Sequence, residues 1–194
     1  MLAAGLLALG WLVLAAPGAA EERLRAGTTE LTVAGGVSVS HAIGGTEAGV
    51  TGAQLLPHVG LFVGEEATPP WLAWPRGPVE LLAEPTVVHY DTRPTGTGVG
   101  LSAVARWVVA GGERVRWYVE AGPGVLTGES GPPEARCDAL FVLQAGAGVL
   151  LFWSERHAVT LGYRAHHVSN GGACAPNHGV NSSVFVLGLT DFFR

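Results

Sequence analysis

Eight stretches of this chain alternate apolar and polar side chains with a period of two, and their charges collect on one face. They span about residues 29–42, 50–63, 78–91, 97–109, 114–127, 139–153, 157–170 and 181–193. Successive residues of a strand point to opposite faces, so the alternation can be read directly. In the fifth stretch Val115, Trp117, Val119 and Ala121 share one face, opposed by Arg116, Tyr118, Glu120 and Gly122. The fourth sets Leu101, Ala103, Ala105, Trp107 and Val109 against Gly100, Ser102 and Arg106. The first sets Leu31, Val33, Val37 and Val39 against Glu30, Thr32, Ser38 and Ser40. Glu80, Glu84, Arg106, Arg116, Glu120, Gln144 and Arg164 all fall on the polar face, in both signs of charge. A soluble barrel would be apolar inside. This pattern is inverted, and it predicts an all-β fold: an eight-stranded antiparallel transmembrane β-barrel of the bacterial outer membrane. Eight strands leave a lumen that side chains fill, so a wide pore is not expected.

The composition agrees. Apolar residues make up 48% of the chain and charged ones only 14%, yet no segment after the N-terminus could span a bilayer as a helix. The best candidate, Ala139 to Trp153, is too short and contains Gln144. The apolar run Met1 to Ala20 ends in Pro17-Gly18-Ala19-Ala20 before Glu21-Glu22, and reads as a signal peptide without a basic start. Residues 21–194 then form a single barrel domain. A net charge of −5 and the absence of lysine exclude a nucleic-acid partner. Cys137 and Cys174 suggest one disulfide in an exported protein. The histidines are scattered, so no metal site is expected, and no cofactor.

With both termini in the periplasm, odd strands run outward. The short turns 110–113 and 154–156 are then periplasmic, as is the longer connection 64–77 with Pro69-Pro70-Trp71. The outer loops lie near 43–49, 92–96, 128–138 and 171–180, which puts both cysteines outside. Trp107, Trp117 and Trp153 fall at periplasmic strand ends, where an interfacial girdle belongs.

The seventh stretch places Val159, Leu161, Tyr163, Ala165, His167 and Ser169 on the lipid face, and Thr160, Gly162, Arg164 and His166 in the lumen. His167 and Ser169 therefore share a face near the outer end of the strand. An imidazole there can take a serine's proton and return it to a leaving alkoxide, which is the chemistry of ester hydrolysis through an acyl-enzyme. His166 reads more simply as a lumen residue bonded to the ionic groups, and His157 and His178 as solvated turn or loop residues. The segment Gly128-Glu129-Ser130-Gly131 lacks the spacing of a nucleophile elbow.

The stretch His167-Val168-Ser169-Asn170-Gly171-Gly172, followed by Pro176-Asn177-His178-Gly179-Val180-Asn181-Ser182, resembles the lipid A 3-O-deacylase (PagL-type) family. That family comprises eight-stranded outer-membrane barrels that remove the ester-linked acyl chain at position 3 of lipid A. Its serine hydrolase site faces the outer leaflet. The resemblance implies Ser169 as nucleophile and His167 as base, with Asn170, Gly172 and Asn177 in the segment that forms the oxyanion pocket. It implies lipid A or a related acylated glycolipid as the substrate and partner. The position of the family's third triad member, a glutamate in its best-known form, is held here by Asn181. An amide can fix a histidine's tautomer but cannot offset imidazolium charge. Asp191 lies on the same face of the last stretch but about 33 Å further along, too far to substitute.

The expectation is an outer-membrane esterase acting by serine acyl transfer, with a homodimer left open. The alternatives are a non-enzymatic barrel serving as envelope scaffold or adhesin, and a soluble lipid-binding barrel. The short outer loops count against adhesion, and the charges on the inner face count against a soluble apolar-lined barrel.

Overall fold

The computed structural model describes residues 24–43, 50–64, 77–91, 96–127, 137–175 and 177–194. The leader expected at 1–20, Pro176, the Gly128–Gly131 segment and Pro69-Pro70-Trp71 lie outside the described residues. Eight antiparallel strands follow one another around the barrel: β1 (Thr29–His41), β2 in two pieces (Thr51–Leu55 and His58–Phe62), β3 (Val79–Asp91), β4 (Gly96–Gly111), β5 (Val115–Thr127), β6 (Ala139–Phe152), β7 (His157–Ser169) and β8 (Val180–Phe193). Each strand pairs with the next, and β1 pairs with β8 from Thr29↔Phe193 to His41↔Asn181. That last pairing closes the sheet and removes its edges, which a wall in hydrocarbon requires.

The expected strands match to within about two residues. Most of their odd-numbered positions face outward, giving exposed Leu31, Val33, Leu101, Trp117, Leu143 and Leu187, while Glu30, Glu80, Arg106, Glu120 and Arg164 are buried. β4 runs longer than expected because a bulge between Val108 and Ala110 shifts its register against β5.

The two pieces of β2 keep one register against β3, as Leu55↔Val87 and Val59↔Ala83 show, so Pro57 faces Pro85 across the ladder. The N–H of Leu56 points to β1 and that of Val63 to β3. Positions 57 and 85 therefore occupy a hydrogen-bonding pair in which neither residue has a donor. Two ladder bonds are missing there, and a gap of roughly 13 Å separates the next bonding pairs. On the lumen side His58 Nδ1 lies 3.4 Å from Glu84 Oε2, a side-chain tie across the same seam.

The lumen is layered, whereas the alternation read its face as uniformly polar. Leu24, Phe62, Val108, Tyr118, Leu150, Phe152, Ala158 and Phe192 fill the end at which the chain enters and leaves the barrel. Val88, Tyr90, Leu126, Leu140, Val142 and Val168 fill the opposite end, beside the β7–β8 connection. Between them sit the charges. Arg106 bonds Glu30 (3.0 and 3.1 Å), Glu80 (3.2 Å) and Glu120 (3.1 Å), and its guanidinium stacks on the Tyr118 ring at 4.4 Å. Arg164 bonds Glu84 (2.6 and 2.9 Å), Glu120 (2.6 Å) and Gln144 (3.2 Å). His58 adds a contact to Glu30 at 2.9 Å. The apolar layers keep water from this cluster, so its ions must satisfy one another. His166 lines the lumen beside Glu84 and Gln144, as expected of its parity. It forms no hydrogen bond to the ionic groups among the described residues.

Candidate active site

β7 ends at Ser169, and the chain returns as β8 at Val180 after a short connection. Register places His167 opposite Asn181, and Asn181 opposite His41. On the other side His167 faces Leu143, and Ser169 faces Phe141. His167, Ser169 and Asn181 are all partly exposed on the lipid face.

His167 Nδ1 lies 2.8 Å from Asn181 Oδ1. A carboxamide oxygen only accepts, so the imidazole carries its proton on Nδ1 and leaves Nε2 as an acceptor. The Cε1–Nε2 edge of the ring packs against Gly179. A Cβ there would stand 2.8 Å from Cε1 and 3.4 Å from Nε2, and the residue has φ +67°. Glycine is thus required twice over at position 179, for backbone conformation and for contact with the base. Ser169 makes no hydrogen bond to His167 among the described residues. The structure brings base and amide together and leaves the serine hydroxyl adjacent and unengaged.

The connecting loop is folded around Asn170, which is fully buried. Its N–H donates to Asn177 Oδ1 (3.1 Å), and its Nδ2 donates to the carbonyl of Cys174 (3.0 Å). Its Oδ1 accepts from the N–H of Gly172 (2.9 Å), and its carbonyl accepts from the N–H of Ala173 (3.0 Å). Asn170 and Gly172 therefore spend these groups on the loop itself. Asn177 uses only its carbonyl oxygen, which leaves its amide donors unbonded among the described residues. Cys174 is disulfide-bonded to Cys137, as expected of two cysteines in an exported protein, and this ties the segment before β6 to the β7–β8 connection.

Several residues here escaped the sequence reading. Ser183 Oγ lies 2.8 Å from His41 Nε2 and 2.9 Å from the Tyr163 hydroxyl, also on the lipid face. His41 had a usable signal, being on the outward parity of β1 at its outer end. Gly179 had one too, within the Asn177–Asn181 stretch. Asp191 lies opposite His157, at the end of the barrel away from His167. His157 itself contacts Ser154 Oγ at 2.8 Å in an exposed turn.

Three solved β-barrel structures align with this architecture over most of the chain. The outer membrane enzyme PagL aligns at 18% identity and TM-score 0.56, over 84% of this chain and 98% of its own. Neisserial surface protein A (NspA) aligns at 13% identity and TM-score 0.61, over 86% and 99%. The N-terminal β-barrel domain of Pseudomonas aeruginosa OprF aligns at 15% identity and TM-score 0.53, over 87% and 98%. At these identities the three establish the fold only. Among curated proteins no significant match is found. Residues 58–190, more than half of the chain and including the whole of the β7–β8 site, match the model of the lipid A 3-O-deacylase (PagL) family, and the chain belongs to that family.

Proposed function

We propose that this protein is an outer-membrane esterase that removes an ester-linked acyl chain, at position 3, from lipid A in the outer leaflet. The observation that carries the proposal is the 2.8 Å bond between His167 and Asn181 on the lipid face, one outward position from Ser169. Family membership supports the substrate. Ser169 Oγ attacks the ester carbonyl while His167 Nε2 takes its proton. Asn181 holds the Nδ1–H throughout, which keeps Nε2 as the proton acceptor. The tetrahedral oxyanion is held by loop donors, with the Asn177 amide the side-chain group best placed to donate. Such donors act where charge develops only in the transition state. Collapse expels the sugar alkoxide, which takes the proton back from His167. Water, deprotonated by the same nitrogen, then releases the fatty acid and restores Ser169. Substrate reaches the site by lateral diffusion, so a site outside the lumen needs no pore.

The test is mass spectrometry of lipid A from Gram-negative cells expressing the chain, beside cells expressing Ser169→Ala. Loss of one acyl chain with the parent alone supports the reading. Unchanged lipid A with both, despite folded protein in the outer membrane, refutes it in favour of a non-enzymatic barrel.

A further inference from the structure

Beside the candidate site, the lipid face carries a second hydrogen-bonded polar cluster, formed by His41 on β1, Ser183 on β8 and Tyr163 on β7. One ladder row reads His41, Asn181, His167. Ser183 lies one outward position deeper, opposite Val39 and Ala165. The surrounding outward residues, Val37, Val39, Phe185 and Leu187, are apolar and exposed. Polar and ionisable groups at a hydrocarbon boundary are costly, and in membrane proteins they mark functional positions.

The cluster is only partly self-satisfied. The arrangement that uses both hydroxyl protons runs from the Tyr163 O–H to Ser183 Oγ, and from the Ser183 O–H to His41 Nε2. It leaves the proton of His41 on Nδ1, a donor with no partner among the described residues. A donor in that position suits an acceptor oxygen. Adjacent strands stand about 4.8 Å apart, so His41 lies roughly 10 Å from His167 across the wall. The oxygens of one acyl ester seated at Ser169 do not reach both places, whereas those of a sugar bearing several acyl chains do.

We propose that His41, Ser183 and Tyr163 form an anchoring subsite for a carbonyl oxygen of a neighbouring acyl linkage on the same multiply acylated glycolipid. This rests on the acyl-ester hydrolysis proposed above, and it makes the site selective for lipids with several chains on one headgroup.

The test compares kcat/KM on purified lipid A with kcat/KM on a single-chain p-nitrophenyl ester, for the parent, Ser183→Ala and Tyr163→Phe. Heat-modifiable mobility on gels confirms that each variant is folded. Tyr163→Phe keeps the ring packed edge-on against Phe185, at 5.5 Å between centroids, and so separates packing from hydrogen bonding. The ratio of the two constants falls on the order of tenfold in Ser183→Ala, because the Ser183 hydroxyl holds His41 and so its outward Nδ1–H in place for the substrate oxygen, and falls less in Tyr163→Phe, which removes only the hydroxyl behind Ser183. An unchanged ratio, whether both constants fall together or neither does, overturns the subsite. A binding readout separates this outcome from failure of the esterase reading. Native mass spectrometry in the Ser169→Ala background counts retained lipid A with and without Ser183→Ala. Lower retention with Ser183→Ala supports the subsite even if the parent hydrolyses nothing, and equal retention removes it.

Discussion

In the lumen, Arg106 reaches three carboxylates and Arg164 two, and apolar layers close the cluster off at both ends. On the lipid face, at the ends of β7, β8 and β1 around Ser169, Asn181 and His41, the polar side chains are amides, hydroxyls and imidazoles. Ser183 is buried, the others stand at least partly exposed, and bonding positions remain open at Ser169, Asn177 and His41 among the described residues. Both regions put polar groups where water is scarce. In one, the full charges bond chiefly to one another, and the atoms left over, such as Arg106 Nη2, Glu80 Oε1 and Gln144 Nε2, are sealed from any visitor. In the other, some capacity is kept for a visitor. The difference separates polar groups that hold the wall from polar groups that act on what diffuses past it.

The sharpest way to break this division is at Ser169 and His167. Ser169→Ala and His167→Ala should each lower lipid A deacylation by about 10⁴-fold or more, since nucleophile and base act as a unit. Unfolding in urea should move by less than about 1 kcal/mol, because neither side chain is buried or ion-paired. Loss of stability comparable to a core substitution would place these residues with the wall instead.

The converse substitution is Arg106→Ala. It takes from Glu80 the only cation it bonds among the described residues, leaves Glu30 with His58 alone and Glu120 with Arg164 alone, and removes the cation from the Tyr118 ring. Breaking a buried pair from one side costs about 3–5 kcal/mol. Folding yield and the urea midpoint in detergent should both fall by that measure. A shift under about 1 kcal/mol would mean that water enters the lumen and screens the cluster.

How far each region could be read beforehand follows from the physics. Lipid on one side and a narrow lumen on the other force strict alternation, so strand number, facing and the placement of Arg106, Glu120 and Arg164 were legible. The apolar layers were not, because Tyr118 and Leu150 alternate with outward residues just as Glu120 does, and parity carries no depth. His167 and Ser169 share a face by local spacing alone. Ser183 and His41 are 142 residues apart and meet only where β8 closes onto β1. The register of that closure is a property of the whole barrel, so no local pattern announces the cluster. Asn170 was expected near the oxyanion. Its burial inside the loop depends on a turn whose hydrogen bonds the spacing does not reveal.

Asn181 tests the division from the side of function. Asn181→Asp is nearly isosteric and keeps an acceptor 2.8 Å from His167 Nδ1, but adds the charge that stabilises an imidazolium. A gain of about tenfold in kcat, with KM little changed, is the expected outcome in steady-state kinetics. No gain would mean that His167 carries little positive charge in the transition state, and the general-base role would need revision.

The smallest effect is expected at a place where the main chain of the wall leaves bonding capacity open. Pro57 and Pro85 face each other with no donor on either side, and their carbonyls lose their ladder partners at the middle of β2 and β3. If open capacity always signalled function, changing this pair would alter activity. The contrast drawn above predicts otherwise, because these are main-chain groups set apart from the β7–β8 site. Pro85→Val supplies an N–H for the Pro57 carbonyl and a side chain suited to the lipid face. The restored bond contributes about 1 kcal/mol and more in hydrocarbon, against roughly 0.4–1 kcal/mol for the chain entropy that proline had removed. A net stabilisation of up to about 1 kcal/mol in urea unfolding should result. Amide exchange near His58 and Glu84 should slow, and lipid A turnover should stay at the parental rate. A fall in turnover with stability raised would show that the β2–β3 seam must yield during catalysis, and the line between wall and site would have to be redrawn to include it.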